Sequence, residues 1–131
     1  MNHKDMRQNI TSGAPWEDIV GYSRAVRIGN IIEVTGTVSI QNGQVYGVDN
    51  PYEQTKRSLK IIEEAILKAG ADLNDVIRTR IFVTNIDQWE DVGRAHAEIF
   101  GSIKPATTMV EVNRLMEPEF LVEIEATAIV Q

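Results

Sequence analysis

Residues 105–112 read Pro105-Ala-Thr-Thr-Met-Val-Glu-Val112 and, after a short link, residues 121–126 read Leu121-Val-Glu-Ile-Glu-Ala126. Both segments alternate in character along the chain, the pattern of strands whose successive side chains point to opposite faces. Strands are expected over 107–112 and 121–130, closing the chain as a hairpin, with the small-residue entrance at Pro105 and the carboxylate of Glu123 at the same end of a sheet. In the second strand Val122, Ile124, Ala126, Ala128 and Val130 form a wholly apolar row. The opposite row, Leu121, Glu123, Glu125, Thr127 and Ile129, is mixed. Helices suit the first row. The second reads as half-buried, which predicts self-association.

Working outward, Ala25-Val-Arg-Ile28 and Ile31-Ile-Glu-Val34 flank Gly29-Asn30, a two-residue hairpin turn. Asn42-Gly43 marks a smaller turn between residues 38–40 and 44–45. From residue 52 to 69 the period becomes helical: Leu59, Ile62, Ile66 and Ala69 recur on one face, Asp49 or Asn50 caps, Pro51 opens and Gly70 stops. Residues 77–83 read as a strand with Ile77, Thr79, Ile81 and Val83 inward. A second helix follows, capped by Asp87, with Trp89, Val92, His96 and Ile99 on one face and Gly101 at its end. Gly93 inside it costs about 1 kcal/mol against alanine, so a close contact or a loosened turn is expected there. The order is hairpin, helix, strand, helix, hairpin: one α+β domain over residues 1–131, with two helices on one face of a sheet.

At 131 residues the chain buries roughly two-thirds of its unfolded surface on folding. No cysteine is present, which removes disulfides, thiolate metal sites and cysteine nucleophiles together. The only histidines are His3, expected in a loose N-terminus, and His96, too few for a zinc site. A net charge of −6 with scattered Lys and Arg argues against a surface that tracks phosphates. No secretory leader or membrane segment is read, so a cytoplasmic protein is expected. Nucleotide-binding glycine loops, a Gly-x-Ser-x-Gly elbow and His-Glu-x-x-His are missing, and no cofactor is expected.

Glu123, between Val122 and Ile124, is the first chemical candidate: a carboxylate near an interface could have a raised pKa and activate water, or be an ion-paired strand residue. Thr107 and Thr108 could offer hydroxyls to a small carboxylate, or be ordinary strand formers. Tyr22 could turn its phenol to a ligand. Trp89 reads as core or interface, and His96 as a packing histidine. Arg78 and Arg80 share a face with Phe82, where they either pair with Glu123 and Glu125 or grip an anionic ligand; the ion pair is favoured.

Gly21-Tyr22 before a hairpin, Val34-Thr-Gly36, Glu53-Gln-Thr55 opening a helix, Ala69-Gly70 ending it, Asp75-Val76, Phe82-Val83, Pro105-Ala106, Val110-Glu-Val112 and Val122-Glu-Ile-Glu-Ala126 together resemble the Rid family, also called YjgF. The resemblance implies a chorismate-mutase-like fold, a homotrimer with an inner β-barrel, helices outside and ligand clefts between subunits. Deaminating members hydrolyse enamines and imines such as 2-aminoacrylate to a keto acid and ammonia. In them an arginine directly after Pro-Ala grips the carboxylate, while a tyrosine and a glutamate position the attacking water. Tyr22 and Glu123 match the last two and are the implied catalytic residues. Thr107 stands in the arginine's place, Gly93 in that of an asparagine and Met109 in that of a cysteine. The candidate ligand wall is Thr107, Thr108, Trp89 and Gly36, with Arg80 as a substitute cation. Losing the arginine points away from standard 2-aminoacrylate deamination. Three readings follow: an enamine or imine hydrolase with another substrate, a non-catalytic small-ligand or regulatory module, and a ribonuclease, which the acidic balance disfavours.

Overall fold

A computed structural model describes residues 6–131; His3 lies outside the described residues. Six strands form the main sheet: β1 (Gln8–Ile10), β2 (Ala25–Ile28), β3 (Ile31–Thr37), β6 (Val76–Val83), β7 (Ala106–Glu111) and β8 (Val122–Ile129), in the order β1-β2-β3-β8-β6-β7. A separate ribbon pairs β4 (Ile40–Gln41) with β5 (Gln44–Val45) around Asn42-Gly43, where both residues take positive φ. The helices are α1 (Pro15–Val20), α2 (Pro51–Lys68) and α3 (Trp89–Phe100).

Local sequence explains α2 well. The Asn50 side chain accepts the Glu53 amide, Pro51 occupies the first turn, and Gly70 turns the chain away at φ 87°. Its inward face, Leu59, Ile62, Ala65 and Ile66, packs on Ile32, Val34, Ile124, Ala126 and Ala128 of the sheet, and Val92 and Phe100 of α3 complete the same core. Both long helices therefore cover one face of a mixed α+β sheet. The apolar row of β8 is fully enclosed, from Val122 to Ala128, while Glu123, Glu125 and Thr127 on the other face are half-buried.

Four expectations are corrected. The last two strands form no hairpin: β8 lies between β3 and β6, antiparallel to both, and β7 runs parallel to β6 on the sheet's edge, with α3 as the crossover. Ile77 is exposed, because an irregularity between Val76 and Arg78 shifts the β6–β8 register and turns the side chain out. Asp87 does not cap α3. It lies in a short 3-10 turn, Ile86–Gln88, whose own cap is Asn85, accepting the Asp87 amide, and Trp89, read as core or interface, is 55% exposed in this chain and so lies outside the core. Finally, β1 and α1 add elements before the first hairpin. Glu17 is the buried residue of α1, so that helix has no apolar stripe to announce it.

One buried polar side chain ties these layers together. Gln54, fully enclosed on α2, donates through Nε2 to the carbonyls of Gly47 (3.1 Å) and Glu119 (2.9 Å) and accepts the Leu121 amide at 2.9 Å. The loop that leads into β8 is thus pinned to the start of α2, which fixes where Glu123 emerges.

Candidate functional site

Gly36 and Glu123 meet where β3 and β8 pair, on the face away from the long helices, and Tyr22 is linked to them through Arg24. The register of β3 against β8 slips between Val34 and Thr37, so Gly36 sits in an irregular stretch. The place a Cβ would take at Gly36 is filled by Glu123, whose Oε2 lies 2.1 Å from it. A side chain there and a carboxylate at Glu123 exclude each other in this arrangement. Burial pushes the Glu123 carboxyl above the ordinary range, Glu125 adds to the rise, and Arg24 opposes it.

Arg24 and Glu17 are the residues sequence reasoning missed. The Arg24 side chain is 9% exposed and that of Glu17 5%, with Nη2 to Oε2 at 3.8 Å. Arg24 Nη1 donates to the Gly36 carbonyl at 3.0 Å and to Thr37 Oγ1 at 3.1 Å, while its Nε is buried without a partner. The guanidinium also lies 5.8 Å from the centre of the Tyr22 ring. Gly36 therefore offers its carbonyl to Arg24 and its bare Cα to Glu123, and a chain of contacts joins Tyr22, Arg24, Gly36 and Glu123. Glu17 balances the cation. Desolvation works to raise its pKa, but hydrogen bonds from Ser12 Oγ (2.5 Å), Thr11 Oγ1 (2.8 Å) and the Ser12 amide, with Arg24, outweigh that and hold the carboxyl below the usual range. No periodic signal marks the pair: Glu17 is the one buried residue of α1 and Arg24 lies just before β2, seven residues on. An adjoining groove of about 590 Å³ is lined by Arg7, Glu17, Tyr22, Ser23, Glu33 and Thr35.

The remaining candidates lie elsewhere in this chain. Thr107 is in register with Thr79, and Thr79 with Ala126, whereas Glu123 is in register with Phe82. Three residues of strand, roughly 10 Å, separate the two levels. Thr107 also points to the helix side, so one chain does not bring it to Glu123, contrary to the expected common end. Thr108 accepts a hydrogen bond from Arg78 Nη2 at 2.9 Å, and Arg80 pairs with Glu125 at 3.8 Å, the ion-pair reading. Trp89 stands exposed at the start of α3. Among the described residues no group of three His, Asp or Glu is placed to hold a metal ion, and no helix is long and apolar enough to cross a membrane.

A family model described as endoribonuclease L-PSP matches residues 12–130. A solved member of the YjgF/YER057c/UK114 family from Mycobacterium tuberculosis superposes with a TM-score of 0.88 at 49% identity, covering 95% of this chain and 100% of that one. An uncharacterized protein of Streptomyces coelicolor is 38% identical over 121 residues, 92% of this chain and 90% of its own length. The 3-aminoacrylate deaminase RutC of Acinetobacter baylyi is 31% identical over 120 residues, 91% of this chain and 94% of its own length.

Proposed function

Because the chain belongs to the endoribonuclease L-PSP family, the YjgF/Rid family, we propose that it works in the cytoplasm as a homotrimer that binds a small metabolite in clefts between subunits and hydrolyses an enamine or imine there. Glu123 acts as general base and acid. It takes a proton from the water that attacks the C=N carbon and returns one to the nitrogen, which leaves as ammonia. Tyr22 orients the water, and Thr107, Thr108, Arg80, Trp89 and Gly36 form the ligand wall where subunits adjoin.

The observation that carries this reading is the Glu123 carboxyl. It is partly desolvated, raised in pKa, packed over the one residue type that leaves room for it, and biased by a cation at second hand. A carboxyl that titrates nearer neutrality is the better proton carrier. The half-buried row of β8 supports the trimer: a face carrying Glu123, Glu125 and Thr127 is too covered for open surface and too polar for an interior.

A second reading has its own support. Arg24 is engaged with Gly36, Thr37 and Glu17, Arg80 with Glu125, and Arg78 with Thr108, so the cations near this face already have partners. That arrangement suits a neutral ligand bound without turnover. Ammonia release from freshly generated imino acids separates the two. Turnover that disappears with Glu123→Ala is expected, and release no faster than in that variant favours the binding module. Sedimentation at working dilution is expected to give three chains per particle; a stable single chain refutes the shared cleft. RNA cleavage that persists in the Glu123 variant indicates a contaminant.

A further inference from the structure

Two side chains that the Glu123 site does not use, Thr79 and His96, stand in a row with Thr107 on the helix side of the sheet. Thr107 is exposed on β7, which has β6 on one side and no strand on the other. Its Oγ1 lies 2.8 Å from Oγ1 of Thr79, a residue with no exposed surface, and that oxygen lies 2.9 Å from Nε2 of His96. His96 is half-buried on α3, with its ring 4.8 Å from that of Phe100.

A hydroxyl donates one proton and accepts others, so this row has two self-consistent states. With Nε2 unprotonated, Thr79 donates to the ring, Thr107 donates to Thr79, and Thr107 turns a lone pair outward. With Nε2 protonated the direction reverses, and the Thr107 proton is free for the Pro105 carbonyl at 3.3 Å or for a ligand. We propose that His96, Thr79 and Thr107 form a proton relay, with Thr107 as the end that meets a small cationic ligand, an iminium or ammonium, and His96 as the sheltered acceptor. The N–H proton of the cation passes to Thr107 as that of Thr107 passes to Thr79 and that of Thr79 to Nε2. The ligand is left as the neutral imine or amine and the ring becomes imidazolium; the reverse sequence returns the proton.

Burial holds the His96 ring below the ordinary imidazole range, with no charged group among the causes, which favours the uncharged ring as the resting form of the row. Arg78 and Arg80 project from the other face of β6. Arg94 and Glu98 of α3 and Lys56 of α2 are gathered around Tyr52.

The relay rests on the proposed function only in setting Thr107 beside a ligand, and it can be read without turnover. Nitrogen-15 NMR of the two histidines, with His96 assigned from a His96→Gln variant, follows the ring's tautomer and titration. Thr107→Val, which changes an exposed residue that does not touch the ring, is expected to shift both, whereas Thr79→Ser keeps the wild-type response. Superimposed titrations for wild type and Thr107→Val overturn the relay and leave a simple Thr79–His96 bond. Ethanolamine, against potassium chloride at equal ionic strength, is expected to move the His96 signals in wild type and not in Thr107→Val. An equal response in the two, or none, overturns the ligand-facing end. Loss of ammonia release in Glu123→Ala alongside superimposed titrations keeps the catalytic reading and sinks the relay. The opposite pattern does the reverse.

Discussion

Replacing Gly36 by alanine is a selective way to dislodge Glu123. Gly36 is not among the glycines with positive φ, so its backbone accepts an L side chain. The new Cβ meets Glu123 Oε2 at 2.1 Å, Cδ at 3.0 Å and Cγ at 3.3 Å. The carboxylate must retreat by more than an ångström, and because it is the far end of a flexible side chain, the side chain moves rather than the sheet. An off-rotamer side chain costs about 0.5–1.5 kcal/mol, and the stiffer unfolded chain returns about 0.4–1 kcal/mol. Net stability should therefore change by no more than about 1 kcal/mol, a few degrees in melting temperature. The site should change far more. A carboxyl turned toward water loses the desolvation that raises its pKa, so carbon-13 titration of labelled glutamates should show Glu123 falling back toward the ordinary range. In a Glu123→Ala background the added methyl meets no carboxylate and should stabilise, giving a coupling on the order of 1 kcal/mol in a double-mutant cycle. An unmoved Glu123 titration together with zero coupling refutes the packing argument.

Other perturbations test the surroundings. The folded-state pKa of Glu123 is raised, so the native protein holds a proton that the unfolded chain has released above the ordinary value of 4.5. Wild-type stability should fall as pH climbs through that window and stay lowered beyond it; urea unfolding of Glu123→Gln should show an advantage that grows with pH and vanishes in acid. Glu17 has the opposite sign: its lowered pKa adds stability above the ordinary carboxyl value that is lost as pH falls through the folded one. The deficit of Glu17→Gln should accordingly shrink toward low pH, and a deficit independent of pH contradicts the assignment. Gln54→Leu removes the partner of the Gly47 and Glu119 carbonyls and the Leu121 amide, all at part-buried positions, so a loss of about 1–3 kcal/mol is expected in chemical denaturation. At Gly93 a Cβ would come 4.0 Å from Trp89 Cε3, an ordinary contact, so Gly93→Ala should gain roughly 0.5–1 kcal/mol; a loss would mean that the helix needs the missing methyl.

Elements with a strong local signal were legible. The Gly29-Asn30 turn, the Asn50-Pro51 start of α2 and the apolar row of β8 each carry their own reason, and the structure has all three. The Arg80–Glu125 pair was legible too, because two opposite charges sat on one face of paired strands. What failed depends on partners far along the chain. Nothing between residues 105 and 130 says that β7 joins β6 in parallel while β8 enters the middle of the sheet, and the irregularity that exposes Ile77 arises only from the β6–β8 pairing. The site divided in the same way. Glu123 and Tyr22 could be picked out from their places in the chain, and the family pattern added roles for them and Gly36, whereas Arg24 and Glu17 become visible only once the fold brings them together. Thr107 was placed with Glu123 because its register against Thr79 could not be read from spacing.

The position of β8 has a bearing on how the chain acquires its shape. Ile31 pairs with Ile129 across nearly the whole sequence, and β8 is the plank on which both β3 and β6 rest. A nascent polypeptide that has emerged only to residue 121 holds the β2–β3 turn and the β6–β7 unit with no strand between them, so the sheet is split and only the helices bridge its two parts. Closure waits for that eight-residue strand, so the domain should fold slowly for its size, and the form that lacks β8 is the one most in need of a chaperone.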